Sequence, residues 1–488
     1  MTDSLGSIRD ALRSAGLLVE QRGALPETIS GVADDSRAVA AGSLFLAVRG
    51  AERDGHDFLA AAAERGATAA VVDDASRTAL PALVVSDTRR AAAVAATAYY
   101  DAPARSLRLV GVTGTNGKTT TVGMLRHLLD ESGARAASIG TLGVLVGGEG
   151  EPLDGGGGLT TPGPVELQRV LRTLHDRGVR TVAMETSSHA LHQRRVEGLA
   201  FDAAVFTNLT RDHLDYHGTM EAYFEAKALL IAHLAPEGVA VVNADDPAWE
   251  ALPRAKRTVR FGSTRAADVH ATEVRCTPDG SRFTVVFDGA PHEVALPMLG
   301  DFNVANALAA AACAWALGIA PQTIAARLGT MPQVPGRLEI LHTRPTVLRD
   351  YAHTPDALER AIEAVRPFTM GRLIVVFGCG GDRDRGKRPE MGRIAVDRAD
   401  VTIATSDNPR TEDPDRILDD IEAGMHGAPH ERIEDRRSAI ARALAIAAPQ
   451  DVVLLAGKGH ETYQVRGTTR FPFDERAIVR EIIQERQS

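Results

Sequence analysis

The chain is nearly devoid of cysteine: Cys276, Cys313 and Cys379 are the only three among 488 residues. They are too few and too scattered for a disulfide framework or a zinc cluster, and a reducing cytosol suits such a chain. No segment reaches the ~18 uninterrupted apolar residues of a membrane span. The nearest approach, residues 304–320, is alanine-rich, contains Asn306 and reads as a buried helix. The opening Met1-Thr-Asp-Ser-Leu-Gly-Ser-Ile-Arg-Asp10 lacks a basic region followed by an apolar core, so no leader is expected. Neither sign of charge dominates: 55 Lys+Arg stand against 64 Asp+Glu, and the net charge of -9 is spread along the chain. That balance argues against a nucleic-acid partner. No short-period repeat occurs, and the one low-complexity patch, Gly155 to Gly158, is expected to be a mobile loop. What remains is a cytoplasmic multidomain enzyme, with room for about three domains at ~150 residues each.

The most informative stretch present is Gly111-Val-Thr-Gly-Thr-Asn-Gly-Lys-Thr-Thr-Thr121. It joins an apolar strand, Leu107 to Val112, to an amphipathic helix carrying Val122, Leu125, Leu128 and Leu129, which Gly133 is expected to close. The loop is phosphate-sized and reads as an ATP site. Glycines at 114 and 117 let backbone N–H groups approach phosphate oxygens, Lys118 supplies a mobile cation, and the Thr119 hydroxyl suits Mg²⁺. The common pattern G-x-x-x-x-G-K-[ST] would place its first glycine where this chain has Val112, so the loop is a variant with less backbone freedom at its entrance.

Two proline-containing junctions divide the chain. Residues 1–105 alternate short strands (Ser43 to Val48, Ala69 to Val72, Ala82 to Val85) with alanine-rich helices and end in the linker Asp101-Ala-Pro-Ala-Arg105. Residues 106–335 repeat a βα pattern, with apolar runs at Leu107 to Val112, Thr181 to Met184, Ala203 to Phe206 and Val239 to Val242. Such runs indicate strands buried on both faces of a mainly parallel sheet. After Met331-Pro-Gln-Val-Pro-Gly336 comes a third α/β set over 336–488, with strands at Leu373 to Phe377, Val401 to Thr405 and Val452 to Ala456. The expected fold class is therefore α/β in three domains. Ligands of a parallel sheet bind beyond the carboxyl ends of its strands. The loops Thr113 to Lys118, Glu185-Thr-Ser-Ser-His189 and Thr207-Asn-Leu-Thr-Arg-Asp-His213 should open onto one crevice, where Glu185 and His213 could share a metal with Thr119.

Taken together, Gly114-Thr-Asn-Gly-Lys-Thr-Thr120, Glu185-Thr-Ser-Ser-His189, Thr207-Asn-Leu-Thr-Arg-Asp-His-Leu-Asp-Tyr-His217, Asp350-Tyr-Ala-His-Thr-Pro355 and Asp407-Asn-Pro-Arg410 resemble the Mur ligases of peptidoglycan synthesis over nearly the full length. Within that family the resemblance is to the MurE-type branch, which adds 2,6-diaminopimelate. It implies a UDP-substrate domain over 1–105, a central P-loop ATPase domain over 106–335 and a C-terminal Rossmann-like, amino-acid-binding domain over 336–488. It also implies an ATP-dependent amide ligase working through an acyl phosphate, with Mg²⁺, UDP-N-acetylmuramoyl-L-alanyl-D-glutamate and meso-diaminopimelate, in a monomer.

The resemblance further assigns residues. ATP is expected at Gly114, Thr115, Asn116, Gly117, Lys118, Thr119 and Thr120, with adenosine contacts at Asn306, Arg337 and Asp350. Catalysis and metal binding would fall to Lys118, Glu185, His213, Thr119 and Lys227, the last as a carbamylated lysine; read from the residues alone, Lys227 on an amphipathic helix is a solvated surface lysine. The UDP-substrate would meet Asp34 and Ser36, with the Gly50-Ala-Glu-Arg53 turn aligning with uridine-binding positions, and its dipeptide end would meet Thr160, Thr161, Ser187, Gln193 and Arg195. Ser36 also suits a turn cap. Diaminopimelate would be read by Arg383, Asp407, Asn408, Pro409, Arg410, Gly457 and Glu461; without the family, Asp-Asn-Pro reads as a turn before a helix. Diaminopimelate differs from lysine by one carboxylate, and an arginine left unpaired by lysine costs several kcal/mol in order of magnitude.

Three other readings fit less. Gly378-Cys-Gly-Gly381 lacks the full dinucleotide spacing and is followed by acidic Asp382 and Asp384. A folylpolyglutamate synthase would share the phosphate loop but has no use for the N-terminal domain or Asp-Asn-Pro-Arg. A P-loop switch module would not need the second set of strand-end loops over 373–461.

Overall fold

The computed structural model describes residues 3–50, 53–156, 158–277 and 279–487. Ala51 and Glu52 of the expected uridine turn, and Gly157 of the glycine patch, lie outside these. The chain forms two compact units, residues 1–269 with 309–324, and residues 270–308 with 325–488.

The first unit contains a five-stranded sheet in the order Leu18–Arg22, Ala82–Val85, Ala69–Val72, Ser43–Leu46, Gly31–Ala33. Its first pair is antiparallel and the rest parallel. The strands at 69–72 and 82–85 keep their expected bounds, because four-residue runs buried on both faces leave no ambiguity of register. Helix Thr88–Tyr99 begins at Asp87, whose carboxylate accepts the N–H groups of Arg89 and Arg90, and it lays Ala91, Ala92, Ala95 and Ala96 against the sheet core. The expected linker is not a free tether: Pro103 is buried in the 3₁₀ turn Pro103–Ser106, and the Ala102 N–H bonds Thr97.

A second sheet in this unit runs Glu151–Leu153, Gly143–Val146, Arg135–Gly140, Val179–Glu185, Arg108–Thr113, Phe201–Phe206, Leu234–Asn243, Arg257–Gly262. The pairings from Arg135–Gly140 to Arg257–Gly262 are parallel. The ends of Val179–Glu185, Arg108–Thr113 and Phe201–Phe206 therefore lie side by side at one edge, as the expected crevice requires. Helix Lys118–Leu129 follows the phosphate loop but differs from its expectation in two ways. It ends at Leu129, four residues before Gly133, and is followed by Asp130, whose carboxylate accepts Ala136 and Gly148 N–H groups. It is also buried on almost every side, with Thr119, Thr120, Thr121 and Arg126 inside, and is not amphipathic. Arg126 is drawn in by the carbonyls of Gly147 and Gly148. The apolar stretch 304–320 forms helix Asp301–Ala316. Among the described residues no helix is long and apolar enough to cross a membrane.

The second unit holds the hairpin Gly280–Phe287 and Ala290–Leu296 and a six-stranded sheet. The order is Glu339–Thr343, Thr346–Asp350, Val452–Ala456, Leu373–Phe377, Val401–Ala404, Glu431–Arg432. All pairs beyond the first are parallel. Alternate residues serve opposite cores: Leu373, Val375, Phe377, Leu348 and Leu454 face one, Ile374, Val376, Val347, Val453 and Leu455 the other. Strand Thr346–Asp350 was not expected from the sequence, since it ends in two charged residues. Both are buried here, Arg349 by its bond to Glu339 at 2.6 Å and Asp350 by accepting the Leu338 N–H at 2.7 Å.

Candidate active site

Gly114 and Gly117 shape the phosphate loop. Gly114 has φ +143°, and a Cβ there would lie 1.9 Å from the Thr207 hydroxyl. Gly117, with φ +84°, holds the cap position of helix Lys118–Leu129 and brings no side chain to its first N–H groups, an arrangement suited to an anion. The loop is stitched to the neighbouring strand end: Thr115 N–H donates to Asn208 O at 2.7 Å, Asn116 N–H to Asn208 Oδ1 at 2.9 Å, and Thr207 Oγ1 to Asn116 O at 2.7 Å. Lys118 Nζ donates to Gly114 O at 2.9 Å and Thr115 O at 2.8 Å. Thr119 and Thr120 are buried in the first helical turn.

Lys227 is not the surface lysine its helix suggested. It is 1 % exposed, lies 4.3 Å from the centre of the Tyr223 ring, and donates to Gly114 O at 2.7 Å. The helix that carries it, Met220–Ala232, is apolar on several faces, and Tyr223, Ala226 and Leu230 are buried along with the lysine. Burial first, and the Lys118 charge second, hold its pKa well below the ordinary lysine value.

Around the adjacent strand ends lies a group of imidazoles. The His189 ring is 4.7 Å from His213, 4.3 Å from Tyr216 and 5.4 Å from His217. His213 has φ 54°, a conformation costly for a side chain of this size and held by its position before helix Leu214–His217. Burial lowers its pKa, as do the Lys118 and Lys227 charges, while Asp212 opposes them. His189 and His217 are pushed to about 4, mainly by burial and then by neighbouring imidazoles. Glu185 is 1 % exposed and accepts the Thr141 N–H at 2.8 Å and the Thr141 hydroxyl at 3.2 Å. Among the described residues, no three His, Cys, Asp or Glu side chains form a metal cage. The Thr119 hydroxyl and the Glu185 carboxylate are oxygen donors of the kind Mg²⁺ takes, with water and phosphate oxygens completing its shell, whereas the His213 imidazole is a nitrogen donor that this cation takes less readily.

The residues expected at the dipeptide end form one hydrogen-bonded network. Thr161 Oγ1 donates to Glu185 O at 2.8 Å and accepts the Ser187 N–H at 3.1 Å. Arg195 Nη1 donates to Thr161 O at 2.9 Å, and Arg195 Nη2 to Gln193 Oε1 at 2.7 Å. Gln193 reaches Tyr216, and Thr160 meets the Thr141 hydroxyl at 3.3 Å. Asp34 is solvent-accessible at its edge yet crowded by protein, and this desolvation raises its pKa, with Asp35 and Glu166 adding to the rise and Arg195 opposing it. Ser36 is the first residue of a 3₁₀ turn but not its cap; Asp35 caps it, accepting the Arg37 N–H. Of the turn residues expected at uridine, Gly50 and Arg53 are described, and Gly50 N–H donates to Arg53 O at 2.8 Å.

The second unit gathers the residues expected at diaminopimelate. A Cβ on Gly380 would lie 2.9 Å from Arg410 Nη1 and 3.8 Å from Arg383 Cγ, so both arginines flank one glycine. Arg410, with φ 52°, donates through Nη1 to Gly381 O at 2.7 Å. Arg383 is exposed and bonds the Asp382 carbonyl at 3.0 Å. Asp407 and Asn408 are buried, the Pro409 carbonyl stands where a Cβ on Gly381 would fall, and a Cβ on Gly457 would come 2.5 Å from Asp407 Oδ2. Asn408 Nδ2 donates to Glu461 Oε2 at 2.8 Å. The sequence reading passed over Lys458, which is fully buried and bonded to Glu461 and Asn408. Its signal was there, a lysine between two glycines directly after an apolar strand.

Of the three residues expected at adenosine, Arg337 and Asp350 are neighbours. Arg337 stacks 5.1 Å from the Tyr351 ring and its charge opposes the effect of burial on Asp350, which is pushed up to about 6. Asn306 is held by a different contact, donating to Asn303 Oδ1 at 3.2 Å.

Comparison with known proteins is consistent along the chain. Residues 28–104 match the Mur ligase family catalytic domain, 112–314 the Mur ligase middle domain and 336–459 the Mur ligase glutamate ligase domain. UDP-N-acetylmuramoyl-L-alanyl-D-glutamate–2,6-diaminopimelate ligase of Geobacillus kaustophilus is 47 % identical over 464 residues, covering 93 % of this chain and 94 % of that protein. The ligase of the same name from Synechococcus elongatus is 45 % identical over 487 residues, covering 97 % of each. A solved structure of a ligase of that name superposes with a TM-score of 0.69 at 34 % identity, covering 100 % of both chains. MurF of Acinetobacter baumannii shares the fold, with a TM-score of 0.67 at 21 % identity over 99 % of each chain. With domain matches from residue 28 to residue 459 and relatives this similar over almost their whole length, the chain belongs to the Mur ligase family.

Proposed function

We propose that this chain is a cytoplasmic, monomeric, ATP-dependent amide ligase that joins meso-2,6-diaminopimelate to the glutamyl carboxylate of UDP-N-acetylmuramoyl-L-alanyl-D-glutamate. The names of relatives 43–47 % identical to it support the substrates. The observation that carries the chemistry is the convergence of Lys118 and the buried Lys227 on Gly114 O, on the sheet edge shared with Glu185 and His213.

A carboxylate is a poor acylating agent, so the reaction takes two steps. A glutamyl carboxylate oxygen attacks the γ-phosphorus of ATP and ADP leaves; the amine nitrogen then attacks the acyl carbon, and phosphate leaves with that oxygen. In this reading the loop from Gly114 to Thr120 receives the phosphates, and Lys118 balances charge on the transferring group without having to move far. Asn306, Arg337 and Asp350 are the adenosine contacts. Mg²⁺, held through Thr119, Glu185 and His213, would add positive charge at the γ-phosphoryl oxygens. Lys227, whose pKa burial holds well below the ordinary lysine value, is favoured toward the neutral amine that adds CO₂ and releases a proton to become a carbamate, which turns a donor nitrogen into an oxygen ligand. Arg195, fixed by Thr161 and Gln193, orients a substrate carboxylate, with Thr160 and Ser187 beside it and Asp34 and Ser36 toward the nucleotide. Arg383 and Arg410 read the carboxylates of diaminopimelate, and Asp407, Asn408, Gly457 and Glu461 read its amino-acid end.

Oxygen-18 in the glutamyl carboxylate tests the scheme. One label should appear in released phosphate for each amide formed; phosphate free of label would rule out the acyl phosphate.

A further inference from the structure

Lys458 has no role in the scheme above, yet it is 0 % exposed, and a buried ammonium is tolerated only when paired. Its Nζ donates to Glu461 Oε2 at 3.0 Å and Asn408 Oδ1 at 3.1 Å and stands 4.0 Å from Asp407 Oδ1. Asn408 donates to the same Glu461 oxygen, so that oxygen is held from two sides. Asp407 is 6 % exposed, and its carboxylate takes no hydrogen bond from any described residue. The other charged groups packed here are already engaged. Glu475, whose carboxyl also feels the Lys458 charge, takes Arg436 Nε at 2.8 Å; Arg410 is turned to Gly381 O, Arg337 lies over the Tyr351 ring, and burial pushes up the Tyr351 phenol and the Cys379 thiol, which also neighbour these carboxylates. Tyr463 and Phe473 close the remaining side with their rings. Two carboxylates therefore face one ammonium, and one negative charge is left over beside Gly457.

We infer that Lys458 is the charge-setting and positioning residue of the amino-acid pocket: it cancels one carboxylate and steers Glu461, leaving one negative charge for one α-ammonium. This rests on Asp407 and Glu461 being acceptor contacts. Without the lysine, the two carboxylates that flank it lose their shared counter-ion, and a proton taken up by one of them would stand in for the missing charge. An incoming ammonium then has to displace that proton, so acceptor binding weakens at neutral pH and recovers as the pH rises.

The test uses the full chain as wild type, K458M and K458R, with KM for diaminopimelate and for ATP measured from about pH 6 to about pH 9. K458M should raise the acceptor KM about tenfold or more near pH 7, by a factor that shrinks with rising pH, and leave the KM for ATP within about twofold. K458R, which keeps the charge, should show a pH-flat acceptor KM. An acceptor KM in K458M equal to wild type, or raised by the same factor at every pH, would overturn the assignment and leave a packing role. If K458M does not fold, K458Q, which also removes the charge, takes its place: an acceptor KM raised most at low pH supports the assignment, and one equal to wild type or raised by the same factor at every pH overturns it. A wild type that fails to ligate diaminopimelate would instead overturn the acceptor reading itself, and that is seen before any variant is compared.

Discussion

Lys118 and Lys227 donate to the same oxygen, the carbonyl of Gly114, at 2.9 and 2.7 Å. Burial of Lys227 first, and the nearby Lys118 charge second, hold its pKa well below the ordinary lysine value.

Lys118→Ala should lower the rate of phosphate release by about 10³-fold or more, the scale of removing a fixed charge from a transferring phosphoryl group. Its far-UV circular dichroism should match wild type. Normal turnover in this variant would remove the phosphate loop from the mechanism.

Lys227→Ala should cost activity on the order of 10²-fold or more by removing the group that becomes an oxygen ligand. Carbon-13 NMR in labelled bicarbonate should show a carbamate resonance in wild type that this variant lacks. A resonance identical in both would place the carbamate elsewhere.

Arg410→Ala should raise the KM for diaminopimelate by about 30-fold or more with little change in the KM for ATP. Arg410→Lys should not restore it, because an ammonium lacks the planar fork that pairs with a carboxylate. An unchanged acceptor KM would take Arg410 out of recognition.

The imidazole group sets a pH dependence of stability. In the folded chain His189 and His217 sit at about 4, below the ordinary value of 6.5. As the pH falls from about 6.5 toward 4, the unfolded chain binds protons that the folded one refuses, so stability is lost in that window and is full above it. The urea midpoint of metal-free protein should fall between pH 7.5 and pH 5, and the fall should be smaller in His217→Gln by about 1 kcal/mol in free energy. Equal falls would show that His217 is not the group taking up protons.

What could be read from the sequence follows from how local each signal is. The strands at 373–377 and 452–456 were legible to the residue, since a run such as Leu373-Ile-Val-Val-Phe377 has both faces buried and its own limits. The phosphate loop was legible because its glycines, lysine and threonine are contiguous. Side chains whose partners lie far along the chain were not. The burial of Arg126 depends on the Gly147 and Gly148 carbonyls, some twenty residues further along the chain. Lys227 looked like a surface lysine because its partner, Gly114 O, belongs to a loop more than a hundred residues earlier. Lys458 was passed over for the same reason, its Asn408 partner lying on another strand end. Of the candidate site, then, the residue types were visible in short motifs, while their protonation and pairing depended on packing that no motif records.

The central claim is acceptor-dependent ligation. Phosphate release and product mass, with ATP, Mg²⁺ and UDP-N-acetylmuramoyl-L-alanyl-D-glutamate, should be compared for meso-diaminopimelate, L-lysine and no amine. The account predicts phosphate and an amide product with diaminopimelate and neither with lysine or with no amine. Product with lysine alone would contradict the reading of Arg383 and Arg410, and phosphate release indifferent to amine would contradict the ligase itself.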